Sequence, residues 1–116
     1  MAELVTEGPE LVLRLGRWER LGAMHDSIRV PRANVTSVRA VADPWAELRG
    51  LRAPGTGIPG VIALGTRRGG FGKDFAAVYG HRPGVVVELD GAEFHRLVVS
   101  SDRAQSLART IQQFIE

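Results

Sequence analysis

The amino-acid sequence predicts a mainly β domain closed by a single C-terminal α-helix. Three features carry that expectation. Apolar residues alternate with polar ones in short runs, as half-buried strands require. Glycine, proline and aspartate cluster between those runs, and the last segment repeats its apolar residues at helical spacing.

In the first half, Leu11, Leu13 and Leu15 alternate with Val12 and Arg14, which predicts a strand over Glu10–Leu15. Gly16 offers a tight turn, and Arg17 to Ala23, with Trp18, Leu21 and mixed charges, fits the returning strand of a hairpin. A third strand fits Ser27 to Val30, stopped by Pro31, which cannot donate to a ladder. Val35 to Val41 alternates again. Asp43-Pro44 is a helix start, a capping carboxylate followed by proline at the first helical position, and Trp45 to Leu48 continues it until Gly50. Arg52 to Gly60 holds two prolines and three glycines, and is expected to be a loop crossing between two sheets.

The second half predicts a series of hairpins. Val61 to Arg67 is an apolar strand, followed by a turn at Gly69-Gly70 and Gly72. Asp74 to Tyr79 alternates, and Gly80 to Gly84 turns the chain into Val85–Leu89, the strongest strand signal present. Asp90-Gly91 is a hairpin signal, with Phe94 to Val99 returning. A helix over about residues 101–116 then presents Ala104, Leu107, Ala108, Ile111, Phe114 and Ile115 along one face.

A chain of 116 residues, 44% apolar and 24% charged, is the size and composition of one domain, spanning 1–116. It contains no cysteine, which removes disulfides, thiolate metal sites and cysteine nucleophiles. The formal charge of +2 does not advertise nucleic-acid binding. Of the 15 basic residues only Lys73 is a lysine, and the other 14 are arginines, a bias that codon usage explains and that an arginine surface for anionic groups also fits. No stretch reaches the ~20 apolar residues of a membrane span, and the first residues lack the pattern of a signal peptide, so a cytoplasmic protein is expected. On that expectation the Asn34-Val35-Thr36 glycosylation triplet is a chance match.

The order of elements, about four strands, a crossover, three or four strands and a terminal amphipathic helix, resembles the pleckstrin-homology superfold in its bacterial form. The stretches 28–38, from Ile28 to Val38, and 84–91, from Gly84 to Gly91, are similar to such domains. The resemblance implies a partly open barrel of two roughly orthogonal antiparallel sheets, with about seven or eight strands and the helix capping one end. It also implies a scaffold that binds proteins, lipids or copies of itself without chemistry. Lipid-binding members use a basic loop between their first two strands; Leu15-Gly16-Arg17 is too tight for one, so phosphoinositide recognition of that kind is not expected.

Motifs that suggest chemistry fail on context. Gly55-Thr56-Gly57-Ile58-Pro59-Gly60 matches G-x-G-x-x-G, yet a dinucleotide site needs a strand before it and a helix after. The Gly72-Lys73 pair lacks the upstream glycine, where Arg67 stands, and the following hydroxyl, where Asp74 stands. His25, His81 and His95 have no metal-ligand spacing, and no nucleophile elbow exists. Glu88 is expected to point outward with Val86, and a catalytic pairing of Glu88 with Asp74 is not called for. No catalytic residue, metal or cofactor is therefore expected.

Seven residues remain as candidates for binding: Trp45, Arg49, Arg52, Arg67, Arg68, Lys73 and Arg82. Trp45 on its short helix is either a lid on the core or an exposed aromatic anchor of the kind that dominates interfaces. Arg67, Arg68 and Lys73 crowd one hairpin tip, where solvation and contact with an acidic partner are both ordinary fates. The favoured function is a non-catalytic module for protein–protein interaction or self-assembly. The alternative is a peripheral binder of an anionic membrane surface or a phosphate-bearing ligand through the arginine-rich loops.

Overall fold

Nine strands and two α-helices make up the chain in the computed structural model, which describes residues 1–116 apart from the side chain of Ala53. A three-stranded sheet contains β1 (Glu3–Glu7), β2 (Glu10–Arg14) and β3 (Ile28–Pro31), in that order. The larger sheet contains β4 (Val35–Val41), β5 (Leu51–Ile58), β6 (Ile62–Gly69), β7 (Gly72–Tyr79), β8 (Gly84–Leu89) and β9 (Arg96–Ser100). Its strand order is β4-β8-β9-β7-β6-β5. Helix α1 (Arg17–Ala23) joins β2 to β3, and α2 (Ala104–Ile115) ends the chain. The fold class is thus the mainly β one that the alternation predicts, in two open sheets with a C-terminal helix. Among the described residues, no helix is long and apolar enough to cross a membrane.

Several local expectations are corrected. Arg17 to Ala23 is a helix, not a returning strand, and Gly16 is its N-terminal cap rather than a hairpin turn. The Glu19 carboxylate turns back to accept the Gly16 N–H at 2.7 Å, satisfying a donor that helix formation leaves free. The partner of β2 is instead β1, which lies outside the predicted strands; Gly8, at φ +57, makes the turn. Arg52 to Gly60 is not a loop, because residues 51–58 form the edge strand β5. Its proline and glycines are compatible with an edge: the register shifts between Arg52 and Gly55, and Gly55 faces Gly65 across the pair. A Cβ on Gly65 would lie 2.5 Å from the Pro54 carbonyl oxygen, so the close approach needs glycine there.

The hairpin series also breaks once. Gly80 to Gly84 does not join neighbours, since β9 lies between β7 and β8 and pairs in parallel with β7, Phe75 opposite Leu97. The large sheet is therefore mixed rather than wholly antiparallel. Its central strands are covered on both sides, so Val85, Val86 and Val87 are all fully buried. Val86 accordingly does not face solvent, as its alternation with Val85 and Val87 had suggested.

The inner face of the large sheet shares one core with the small sheet. Leu11, Leu13, Val30, Leu64, Phe75, Val87 and Leu97 belong to it, and α2 lays Ile111 into the same cluster, flanked by Leu107, Phe114 and Ile115. The outer face forms a second cluster of Ala63, Ala76, Val78, Val86 and Val98, covered by Val41, Trp45 and Leu48.

One polar pair is sealed at the rim of the first core. Glu19, on α1, is 1% exposed and accepts a hydrogen bond from the Tyr79 hydroxyl at the end of β7. Burial, and then that bond to a carboxylate, push the Tyr79 phenol well above its ordinary value. The neutral phenol is thus favoured by folding: the stabilisation is complete below about pH 10, where a free tyrosine ionises, and is lost as pH rises toward the folded value. Tyr79 is the one tyrosine of the chain, so phenolate absorbance reports it alone. In alkaline titration that absorbance should stay flat through about pH 10 and rise together with unfolding. A reversible rise centred near the ordinary value, with far-ultraviolet circular dichroism unchanged, would show the phenol to be solvated.

Candidate functional site

The segment between β4 and β5 decides what the outer sheet face can do. Pro44 to Glu47 is a short 3-10 helix whose cap, Asp43, accepts the Trp45 N–H at 3.1 Å, as the Asp-Pro pair predicts. Trp45 lies half-buried on the outer cluster and donates its indole N–H to the Gly80 carbonyl at 2.7 Å. It is a lid, and its remaining exposed face borders a concave surface. Glu47 receives the Arg39 guanidinium at 2.5 Å, which holds its carboxyl below the usual carboxylate range. Arg96 adds a bond to the Glu47 carbonyl at 3.3 Å.

Arg49 fixes the far end of this segment. Its guanidinium makes a two-pronged contact with the Asp74 carboxylate on β7, at 2.6 and 3.0 Å, and stacks 4.0 Å from the centre of the Phe71 ring. The Asp74 side chain is 3% exposed. A carboxylate so buried needs such a partner, because an unpaired charge there would be strongly destabilising. The pair raises the Arg49 guanidinium further above its already high value through the Asp74 hydrogen bond.

Beside this segment lies an open cleft of about 590 Å³. Trp45, Leu48, Ile58, Pro59, Ile62 and Ala63 supply its apolar lining, and Asp43, Arg52, Arg67 and His81 its polar groups. Arg52 and Arg67 stand opposite one another in the β5–β6 register. Arg67 donates to the carbonyls of Arg49 and Gly50 at 3.0 and 2.9 Å, and Arg52 donates to the Gly57 carbonyl at 3.2 Å.

Three of the seven candidates from the sequence, Trp45, Arg52 and Arg67, therefore share this cleft. The other four do not line it. Arg49 is turned onto Asp74, Lys73 is paired with Glu93 at 2.9 Å, and Arg82 is paired with Asp102 at 2.7 Å. Arg68 is exposed on β6, opposite Leu51. Leu48, Ile58, Ile62 and His81 were not singled out in the sequence. Ile58 was hidden by the expectation of a loop over 52–60, while Leu48, Ile62 and His81 come from three other segments that only the fold brings together.

The other titratable groups are engaged elsewhere. Glu88, half-buried, accepts the Arg96 guanidinium at 2.5 Å, and Asp74 is held by Arg49. His25 packs its ring against Phe75 and Phe94, with centroids 5.6 and 5.4 Å away. Among the described residues, no group of three or more histidine, aspartate or glutamate side chains converges on a point that one metal ion would fill. No family model, curated protein or solved structure matches the chain.

If Trp45 is the cover of the outer cluster, its substitution separates two contributions. Trp45→Phe removes the bond to Gly80 and should lower stability by about 1 kcal/mol. Trp45→Ala also uncovers Ala63 and Val78 and should lower it by roughly 3 kcal/mol. Urea unfolding measures both. An alanine variant within about 0.5 kcal/mol of the parent would show that the ring adds nothing to the core.

Proposed function

We propose that this chain is a non-catalytic protein-interaction module that engages its partner through the cleft on the outer face of the large sheet. The observation that carries the reading is the cleft's make-up. A half-buried tryptophan held by a hydrogen bond stands beside an exposed apolar wall, and arginines sit at the margin. Aromatic and arginine side chains of limited freedom are those that contribute most when an interface closes over them. Ile58 is 53% exposed and Val61, in the same β5–β6 turn, is 57% exposed, so this end of the sheet presents apolar surface to solvent.

The mode of contact follows from the edge. β5 is an outer strand, yet Pro54 and the shift of register interrupt it, and both features discourage another strand from extending the sheet. Self-assembly by strand addition at β5 is thereby disfavoured, and docking into the cleft beside that edge is preferred. The alternative of an anionic membrane surface gains little from the basic loops. Arg49, Lys73 and Arg82 each have a carboxylate neighbour, which removes much of the field that a cationic patch would need.

The test uses three immobilised forms of the protein as baits for the same cell extract: the parent, Ile58→Glu in the cleft, and Leu21→Glu on the exposed side of α1. Both positions are exposed, so both variants should fold. Proteins retained by the parent should also be retained by Leu21→Glu and be lost from Ile58→Glu. Equal capture by all three would place the contact elsewhere.

A further inference from the structure

We infer that the cleft's occupant is an extended peptide segment that presents carboxylates next to apolar side chains, with Arg52 and Arg67 each taking one. The inference rests on the interaction reading above and gives the partner's chemistry.

The two arginines are the starting point. They lie directly opposite in the β5–β6 register, where like charges destabilise a strand pair. Arg14, Arg29, Arg39, Arg49, Arg82 and Arg96 each meet a carboxylate. At the cleft the pattern changes. Arg52 bonds one backbone carbonyl and Arg67 two, and neither meets a carboxylate among the described residues. A guanidinium has five N–H donors, so each retains donors that its carbonyl partners do not use. Arg52 reaches along β5 to Gly57 while Arg67 reaches the other way to Arg49 and Gly50, so the two guanidiniums offer separate places where a carboxylate matches the fork geometry. Asp43, the one acidic residue lining the cleft, has its carboxylate turned to the Trp45 N–H.

The apolar half of the site fixes the rest of the ligand. Trp45, Ile58 and Ile62 line the same cleft as the two arginines, so the anion must come with apolar surface close by. An open trough suits an extended peptide, which inserts alternate side chains and leaves its backbone accessible to water. A long acyl chain would leave much of its surface wet there. The occupant therefore has the character of an acidic and apolar strand.

The probes are two synthetic peptides, acetyl-Leu-Glu-Val-Glu-Leu-amide and the same sequence with glutamine for glutamate. The readout is Trp45 emission in a Trp18→Phe background, which leaves one tryptophan of the 2 in the chain. The acidic peptide should shift the emission saturably and bind at least about tenfold more tightly than the glutamine peptide. Arg52→Gln, at an exposed position, should narrow that difference without changing the affinity of the glutamine peptide. Equal affinities in the parent, or a difference untouched by Arg52→Gln, would overturn the inference. If neither peptide shifts the emission while Ile58→Glu still loses the captured proteins, the carboxylate assignment fails and the interaction reading survives. If Ile58→Glu loses nothing either, both fail.

Discussion

The buried contact between Arg49 and Asp74 is the constraint on which the outer half of the molecule depends. Asp74 sits on a central strand under a segment that has little regular structure of its own, and its charge needs a cation at that spot. Arg49 supplies it, and so ties the end of the segment 43–50 to the sheet. The other ties follow from that placement. The Arg49 and Gly50 carbonyls receive Arg67, which sets the direction of one arginine of the cleft. At the opposite end, the Trp45 indole reaches Gly80 and seals the apolar cluster beneath. Without the cover, valines on both faces of β8 would no longer both be buried, and a strand with apolar residues on successive positions would lose its reason to be central.

The same ties explain the division between structural and accessible charge. Arginine serves in this chain as an interior and rim fastener: bidentate on Asp74, bridging Glu47 to the sheet through Arg39 and Arg96, stacked on Phe71 and Phe114. Each such use removes a guanidinium from the surface that a ligand meets. What remains at the cleft is Arg52 and Arg67 beside the Trp45 ring, a more selective feature than a broad basic face. The Glu19–Tyr79 contact plays the corresponding part on the inner side, joining α1 to the end of β7 next to the β5–β6 turn.

Much of the fold was legible because burial on one face enforces alternation. β3, with Ile28 and Val30 buried and Arg29 exposed, and the helical stripe of α2 were readable for that reason, and Asp43-Pro44 marked its short helix through capping chemistry alone. The failures have equally local causes. Arg17 to Ala23 carries no helical stripe, since its buried positions are Glu19 and Ala23 while Trp18 and Leu21 face solvent, so the apolar pattern pointed the wrong way. β5 was hidden by proline and glycine, which mark loops on average but are tolerated on an edge beside a bulge. The parallel β7–β9 pair depends on contacts distant in sequence, which no short-range turn signal reveals. For the site, residue type was enough to pick out Trp45, Arg52 and Arg67. It did not reveal that Arg49, Lys73 and Arg82 would be neutralised by Asp74, Glu93 and Asp102, because those partners lie about twenty or more positions away.

The most direct test of the Arg49–Asp74 tie is the exchange rate of the Trp45 indole proton, followed by nuclear magnetic resonance in the parent and in Asp74→Asn. That substitution keeps the shape of the side chain and removes its charge. The indole of Trp18, more than half exposed, serves as the unprotected reference. If the tie holds the segment, the Trp45 proton should exchange at least about tenfold faster in the variant while amides of β8 and β9 change less. Equal protection of the Trp45 indole in both proteins would contradict the account and show that the segment is held without Asp74.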